Sequence, residues 1–384
     1  MLNPEVVALK PSGIRKYFDI AATMDDVITL GVGEPDFKTP WHIREAGIKS
    51  LEKGYTRYTA NRGMLELRSE ISEFMKRRYS LSYDPSNEIL VTVGGSEAID
   101  GAVRALVAPG DEVLVVQPSF VCYEPIVKLA GGTVRIIETK HENEFRLTAD
   151  ELRDSISEKT KLLILPYPNN PTGAVMRREH LEAIADVLRD TNVLVLSDEI
   201  YSELTSGSER HVSIAEIDGM KERTVVASGF SKTYSMTGWR LGFACGPAPV
   251  IKQMTKIHQF AIMSAPTTSQ FAAIEAIKAG DEDISDMRFD YDIRRTFIVS
   301  EFRKMGLECF EPQGAFYAFP CIKSTGLTSE EFCERLLREK HVAVVPGNAF
   351  GDCGEGFIRV SYCNSMKNLK KATALIKEFI DSLK

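Results

Sequence analysis

From about residue 64 onward, apolar positions alternate between two spacings. Met64, Leu67, Ile71, Phe74 and Met75 recur at three- and four-residue intervals, which predicts a helix with one buried face. A linker containing Asp84 and Pro85 leads into residues 89–93, a short and nearly continuous apolar run. Similar runs recur at 113–116, 134–137, 162–165, 193–196, 224–227 and 241–245, with helix-length segments between them. A strand that is apolar on both faces has to be covered on both. The succession therefore predicts an α/β fold, a mostly parallel sheet flanked by helices. Ligands in such sheets bind beyond the carboxyl ends of the strands.

After about residue 281 the pattern changes. A long polar helix through Arg294 and Arg295 leads to strands expected at 307–310, 316–319, 341–345 and 357–362, and a last helix runs to Lys384. This predicts a smaller α+β domain that the N-terminal stretch joins. The expected division is a large domain of residues 36–282 and a small one of residues 1–35 and 283–384, and 384 residues exceed what a single core commonly supports.

Composition sets limits. Hydrophobic residues at 43% and charged residues at 26% fit a globular chain, and a net charge of -7 argues against a nucleic-acid partner. Met1 to Val6 show no basic segment followed by a long apolar stretch, and no later run is long enough to cross a bilayer. The expectation is a cytoplasmic protein with no membrane partner. The cysteines, seven in number and without close pairs, suit reduced thiols better than a disulfide framework. Six histidines show no zinc-ligand spacing, so no metal site is expected.

Candidate chemistry collects just after the expected strands. Gly94-Gly95-Ser96 ends one strand and opens a helix, where free amides would receive a phosphate, although a plain turn reads the same way. Asn169-Asn170-Pro171-Thr172-Gly173 is a turn composition that also offers a rigidly held amide. Asp198, ahead of Glu199, Ile200 and Tyr201, is either a helix cap or a buried carboxylate able to keep a ring nitrogen protonated. Ser231-Lys232 follows an apolar strand, and a lysine buried there tends toward a neutral, nucleophilic amine. Arg240 can fork onto phosphate or carboxylate oxygens, and Phe120 can stack on a flat ring.

Together these residues resemble the class I/II aminotransferases, pyridoxal-phosphate enzymes of fold type I. The likeness runs from Gly31-Val32-Gly33-Glu34-Pro35-Asp36-Phe37 to Arg359-Val360-Ser361-Tyr362. Its most specific pieces are Asn170-Pro171-Thr172-Gly173, Asp198-Glu199-Ile200-Tyr201, and Ser231-Lys232 with Arg240. The resemblance implies pyridoxal 5'-phosphate as cofactor. By it, Lys232 binds the aldehyde as a Schiff base and then moves the proton, Asp198 pairs with the ring nitrogen, and Tyr201 and Asn170 hydrogen-bond the phenolic oxygen. Gly95, Ser96, Ser231 and Arg240 hold the phosphate, and Phe120 stacks on the ring. Arg359, assisted by backbone near Gly33, grips the substrate carboxylate. Tyr58 reaches the phosphate in a neighbouring subunit, which implies a homodimer. The substrates implied are an L-amino acid (aromatic, aliphatic or aspartate) and a 2-oxo acid acceptor, 2-oxoglutarate.

Ser96 stands where some members carry a lysine for a distal carboxylate, which argues against strict aspartate use. Tyr17, Phe18 and Ile20 are expected to form an apolar lid. The alternative is a pyridoxal-phosphate carbon–sulfur β-lyase of the same fold. Tyr201, where such lyases often have histidine, and Gly238-Trp239-Arg240-Leu241-Gly242 favour amino transfer. A non-catalytic regulator would have no need of Lys232, Asp198 and Arg359 together. A nicotinamide dehydrogenase lacks its full glycine fingerprint here.

Overall fold

The computed structural model describes residues 2–9, 13, 20, 23–207 and 210–383. The first strand, β1 (Ile28–Thr29), belongs to a small separate sheet. Every apolar run expected between residues 89 and 245 is a strand. These are β2 (Ile89–Thr92), β3 (Glu112–Gln117), β4 (Thr133–Glu138), β5 (Thr160–Leu165), β6 (Leu194–Asp198), β7 (Thr224–Gly229) and β8 (Gly242–Cys245). They form one seven-stranded sheet in the order β2-β8-β7-β6-β5-β3-β4. β8 is antiparallel to both neighbours, and all other pairings are parallel. The mostly parallel α/β sheet expected from the pattern is the one observed.

Consecutive residues of a strand point to opposite faces, and both faces are covered. Leu196, Val225 and Ala227 pack with Ala98, Ala102 and Val103 of the helix Gly95–Leu106 and with Ile251 and Met254 of the helix Ala248–Ala261. On the opposite face Leu163 and Val195 meet Leu181, Ile184 and Leu188 of the helix Arg178–Arg189. Val91, Val226 and Phe243 meet Leu67 and Ile71 of the helix Leu65–Tyr79. Each buried leucine or isoleucine of this kind contributes roughly 2 kcal/mol by leaving water.

The 24-residue helix Asp281–Lys304 leads to a second layer. Here β9 (Tyr317–Ala318), β10 (Val342–Ala343), β11 (Val345–Pro346) and β12 (Ile358–Ser361) follow. β11, β12 and β9 form an antiparallel three-stranded sheet, and β10 pairs in parallel with β1. Their core joins Ile298 and Phe302 of the long helix, Phe332 and Leu336 of the helix Ser329–Lys340, and Leu369, Ile376 and Phe379 of the helix Met366–Ser382. Tyr201, which follows β6 of the large sheet, belongs to the same core.

Two strand expectations fail. Residues 307–310 are not a strand; they carry no regular structure and are tied irregularly, with Cys321 N–H donating to the Glu308 carbonyl and Arg303 Nε to that of Cys309. The single strand expected over 341–345 is two strands in different sheets. His341 lies outside both, because it caps the preceding helix in a left-handed conformation, at φ +53°. None of the seven cysteines is in a disulfide, and three of them are buried. Among the described residues no helix is long and apolar enough to cross a membrane, and no cluster of acidic, histidine and cysteine side chains is placed to hold a metal ion.

Candidate active site

The carboxyl ends of β2, β3, β5, β6 and β7 meet the three-stranded sheet across a cleft of about 360 Å³. Every site residue expected from the sequence lines this cleft except Tyr58, which stands 81% exposed on the surface.

At one end, β2 passes into the helix Gly95–Leu106 through Gly94, at φ +78°. Glycine takes that conformation at little cost, and a Cβ there would lie 2.7 Å from Arg240 Nη2. The helix has no side-chain cap, so its first amides and positive end stand at the cleft beside Ser96, Ser231 and Arg240. Arg240 is itself left-handed at φ +53°, a strain of about 1 kcal/mol for a residue with a Cβ. These groups together can cradle a phosphate-sized dianion.

In the middle, Asp198 ends β6 and accepts from the Tyr123 hydroxyl at 2.6 Å and the Ile200 N–H at 3.2 Å. Burial pushes its carboxyl up to about 6, and those two hydrogen bonds only partly offset the push. Phe120 sets its ring edge-on to Tyr123, with centroids 6.3 Å apart. Lys232 lies just past β7, half-buried, and its Nζ donates to the Gly33 carbonyl at 2.6 Å. The rings of Tyr201 and Phe316 stand 5.9 and 5.8 Å from that nitrogen. Burial lowers the amine to about 8; Cys363 and Glu34 oppose the shift, while Arg359 and Arg240 reinforce it. Among the described residues no carboxylate is ion-paired with Lys232.

At the other end is Arg359 of β12, donating through Nη1 to Asn170 Oδ1 at 2.9 Å and through Nη2 to the Gly31 carbonyl. Its guanidinium lies between the rings of Tyr317 and Phe350, at 4.6 and 4.8 Å from their centroids. Its Nε is buried and has no hydrogen-bond partner. The two readings of the asparagine motif turn out to belong to different residues. Asn169 holds the turn, accepting from Thr172 N–H and Oγ and donating to the Pro118 and Pro166 carbonyls. Asn170 is thereby free to face the cleft.

Residues 25–376 match the family model for aminotransferases of class I and II. The chain is a class I/II aminotransferase. It is 52% identical to the protein YugH of Bacillus subtilis (strain 168), over 99% of this chain and 98% of that one. It is 47% identical to an aspartate aminotransferase of Pyrococcus abyssi, over 95% of this chain and 94% of the relative. An aromatic aminotransferase from Pyrococcus horikoshii superposes with a TM-score of 0.92 at 42% identity, covering 96% of this chain and 99% of that one. The architecture is that of the pyridoxal-phosphate-dependent transferases of fold type I. The lyase alternative is not favoured, since the Pyrococcus relatives named above are aminotransferases.

Two residues of this aminotransferase cleft were not singled out from the sequence. Tyr123 opens the helix Tyr123–Leu129, three residues after Phe120, and that spacing after a strand was the available signal. Tyr317 lies in an expected strand, but nothing in the pattern says which face of it meets the cleft. Of the lid residues, Tyr17 and Phe18 lie outside the described residues, and Ile20 is half-buried.

The two desolvated charges have opposite consequences for stability against pH. Asp198 in the fold keeps a proton that the unfolded chain has lost between about pH 4 and 6, so stability falls as pH rises through that window. Asp198→Asn in the cofactor-free protein is expected to raise unfolding stability by about 3 kcal/mol above pH 6 and to change nothing below pH 4, measured by urea unfolding. For Lys232 the fold has released a proton that the unfolded chain retains between about pH 8 and 10.5, so stability rises there. Lys232→Met should accordingly be more stable than the parent by about 3 kcal/mol at pH 7, with the gap closing toward pH 10.5.

Proposed function

We propose that this aminotransferase holds pyridoxal 5'-phosphate in the cleft, with Lys232 as the amine that binds its aldehyde. It would move the amino group of an L-amino acid to a 2-oxo acid, 2-oxoglutarate by analogy with its family. The observation that carries the reading is the presence in one cleft of a desolvated amine, Lys232, and a desolvated acid, Asp198, between two separate anion-binding ends.

The fit supports the cofactor. A carboxylate held up to about 6 by burial gains most from a cationic N–H, which a pyridinium offers. The cradle of Gly95, Ser96, Ser231 and Arg240 suits a phosphate, Phe120 suits a ring face, and Tyr201 and Asn170 suit a phenolic oxygen. Bound there, pyridoxal phosphate supplies an aldehyde that condenses with amines and a protonated ring that stabilises negative charge on the adjacent carbon. The protein residues do the rest. Arg359, with Nε unpartnered, would bind the substrate carboxylate by a charge-assisted fork and so orient the amino acid. Lys232, as a neutral amine near pH 8, would take the proton from the substrate α-carbon and return it one position away. Its Gly33 hydrogen bond would hold the nitrogen in place.

The donor preference follows from counting cations. Arg240 is committed to the phosphate end, Arg359 to the α-carboxylate and Lys232 to the chemistry. No further Lys or Arg lines the cleft among the described residues, while Ile99, Phe120, Tyr123 and Ile200 do. This supports aromatic or aliphatic amino acids over strict use of aspartate.

A homodimer would explain an exposed apolar surface. Trp41 and Leu51 of the helix Trp41–Glu52, Tyr55 and Tyr58 after it, and Phe260 and Met263 are all exposed. These segments lie together: Asn61 donates to the Met263 carbonyl, Thr267 to that of Arg57, and Tyr55 stacks on Phe271. Tyr58 at its edge would then complete the partner's phosphate end. Two further expectations are proposed on similar grounds. The division at 35/36 and 282/283 is supported by sheet membership, and a cytoplasmic setting by the free cysteines.

A panel of amino donors against 2-oxoglutarate tests the activity. Phenylalanine or methionine should give the higher kcat/KM, and a large preference for aspartate would overturn that part of the reading. Lys232→Ala should abolish turnover and the pH-dependent visible absorbance of the cofactor-loaded protein. Light scattering should give about twice the 42.8 kDa chain mass, and Tyr58→Phe should weaken cofactor binding by roughly tenfold, the share of one charge-assisted hydrogen bond.

A further inference from the structure

Tyr317 touches three parts of the site at once. Its hydroxyl lies 2.9 Å from that of Tyr201, and neither has another hydrogen-bond partner among the described residues. The Arg359 guanidinium lies over its ring, 4.6 Å from the centroid. Its hydroxyl also occupies space that exists only because residue 33 is glycine, since a Cβ there would lie 2.5 Å away, and Gly33 is the residue whose carbonyl receives Lys232. The register explains the placement. Ser361 of β12 pairs with Tyr317 of β9, so Tyr317 and Arg359 are diagonal neighbours on one face of the sheet.

Two facing hydroxyls share one hydrogen bond, and the hydrogen of the accepting one is left to point elsewhere. Burial raises the ionisation of both. The guanidinium of Arg359 opposes that rise at Tyr317. Either hydroxyl can donate across the shared bond, and with Tyr317 donating to Tyr201 the Tyr201 hydrogen is free for the cleft.

We propose that Tyr317 is a positioning residue: its hydroxyl fixes and strengthens Tyr201 as a donor, setting the proton affinity at the Lys232 end, while its ring braces Arg359 at the carboxylate end. The inference rests on the reading that Lys232 binds the cofactor's aldehyde and Tyr201 its phenolic oxygen. A donor that itself accepts a hydrogen bond is a stronger donor. Without the Tyr317 hydroxyl the phenolic oxygen is less well stabilised and keeps the shared proton to higher pH.

The test is a pH titration of the visible absorbance of the cofactor-loaded protein, with kcat and KM measured alongside. Tyr317→Phe is expected to raise the absorbance midpoint by about half to one pH unit and to leave the amino acid KM within roughly twofold. Tyr317→Leu, which also removes the ring, should raise that KM roughly tenfold. In a Tyr201→Phe background the Tyr317→Phe change should produce no further shift, because the hydroxyl acts only through Tyr201. An unmoved midpoint in Tyr317→Phe, or additive shifts in the double variant, would overturn the proposal. So would a KM in Tyr317→Phe as high as in Tyr317→Leu. A wild-type protein that shows no pH-dependent absorbance, or a Lys232→Ala variant that keeps it, would instead bring down the cofactor reading beneath it.

Discussion

A carboxylate and an amine are held out of water in one cleft without being paired to each other, and the rest of the site is arranged around that constraint. Asp198 has a phenol and one backbone N–H for company, and Lys232 has one carbonyl. Neither set replaces the water that an ion loses on burial, which is why the acid sits high and the amine low. Such charges persist in a fold only where something else over-determines the backbone. Here β6 and β7, paired in parallel and buried along nearly their whole length, carry both residues to the same sheet edge. The destabilisation is also the source of selectivity. A ligand with a cationic N–H for the acid and an electrophile for the amine recovers energy that water alone would not.

The ends of the cleft decide how a ligand lies between those charges. One end offers helix amides, two serines and Arg240, and the other offers Arg359 with its unpartnered Nε. Binding at both ends takes up the freedom of a two-part ligand before chemistry begins, and orientation of this kind is worth several kcal/mol in rate. The strain stored in the left-handed backbone of Arg240 fits the same pattern, since residues with a Cβ keep that conformation where a site demands it.

Much of this was legible in the sequence. The strands of the large sheet are long apolar runs between helices, so their number and order along the chain followed from periodicity. The residues after them followed from the rule that such sheets bind at the strand ends. The small sheet was harder. Its strands are two to four residues long, and at that length the pattern does not separate a strand from an irregular connection, as residues 307–310 show. Val344, between β10 and β11, marks a change of sheet that no local signal announces. Tyr123 and Tyr317 were missed for a related reason: an aromatic residue in an apolar context reads as core, and only tertiary placement shows that its hydroxyl meets Asp198 or Tyr201.

The site is also the seam between the two sheets. Asn170, in a turn after β5, and Lys232, in the short helix after β7, bond to Arg359 and to the carbonyl of Gly33, while Arg294 of the long helix holds Asp36 at 2.7 Å just beyond. Tyr201, three residues past the end of β6, packs into the core of the small sheet against Phe316 and Tyr317. The bonds that join the halves are therefore made by the groups that a substrate would engage. On the proposed reading, a carboxylate arriving at Arg359 would compete with Asn170 and Gly31 for the same guanidinium, and an aldehyde arriving at Lys232 would take that nitrogen from Gly33. On that reading, occupancy of the cleft and the contact between the layers would be linked, because a ligand acts only through its difference in affinity for two arrangements.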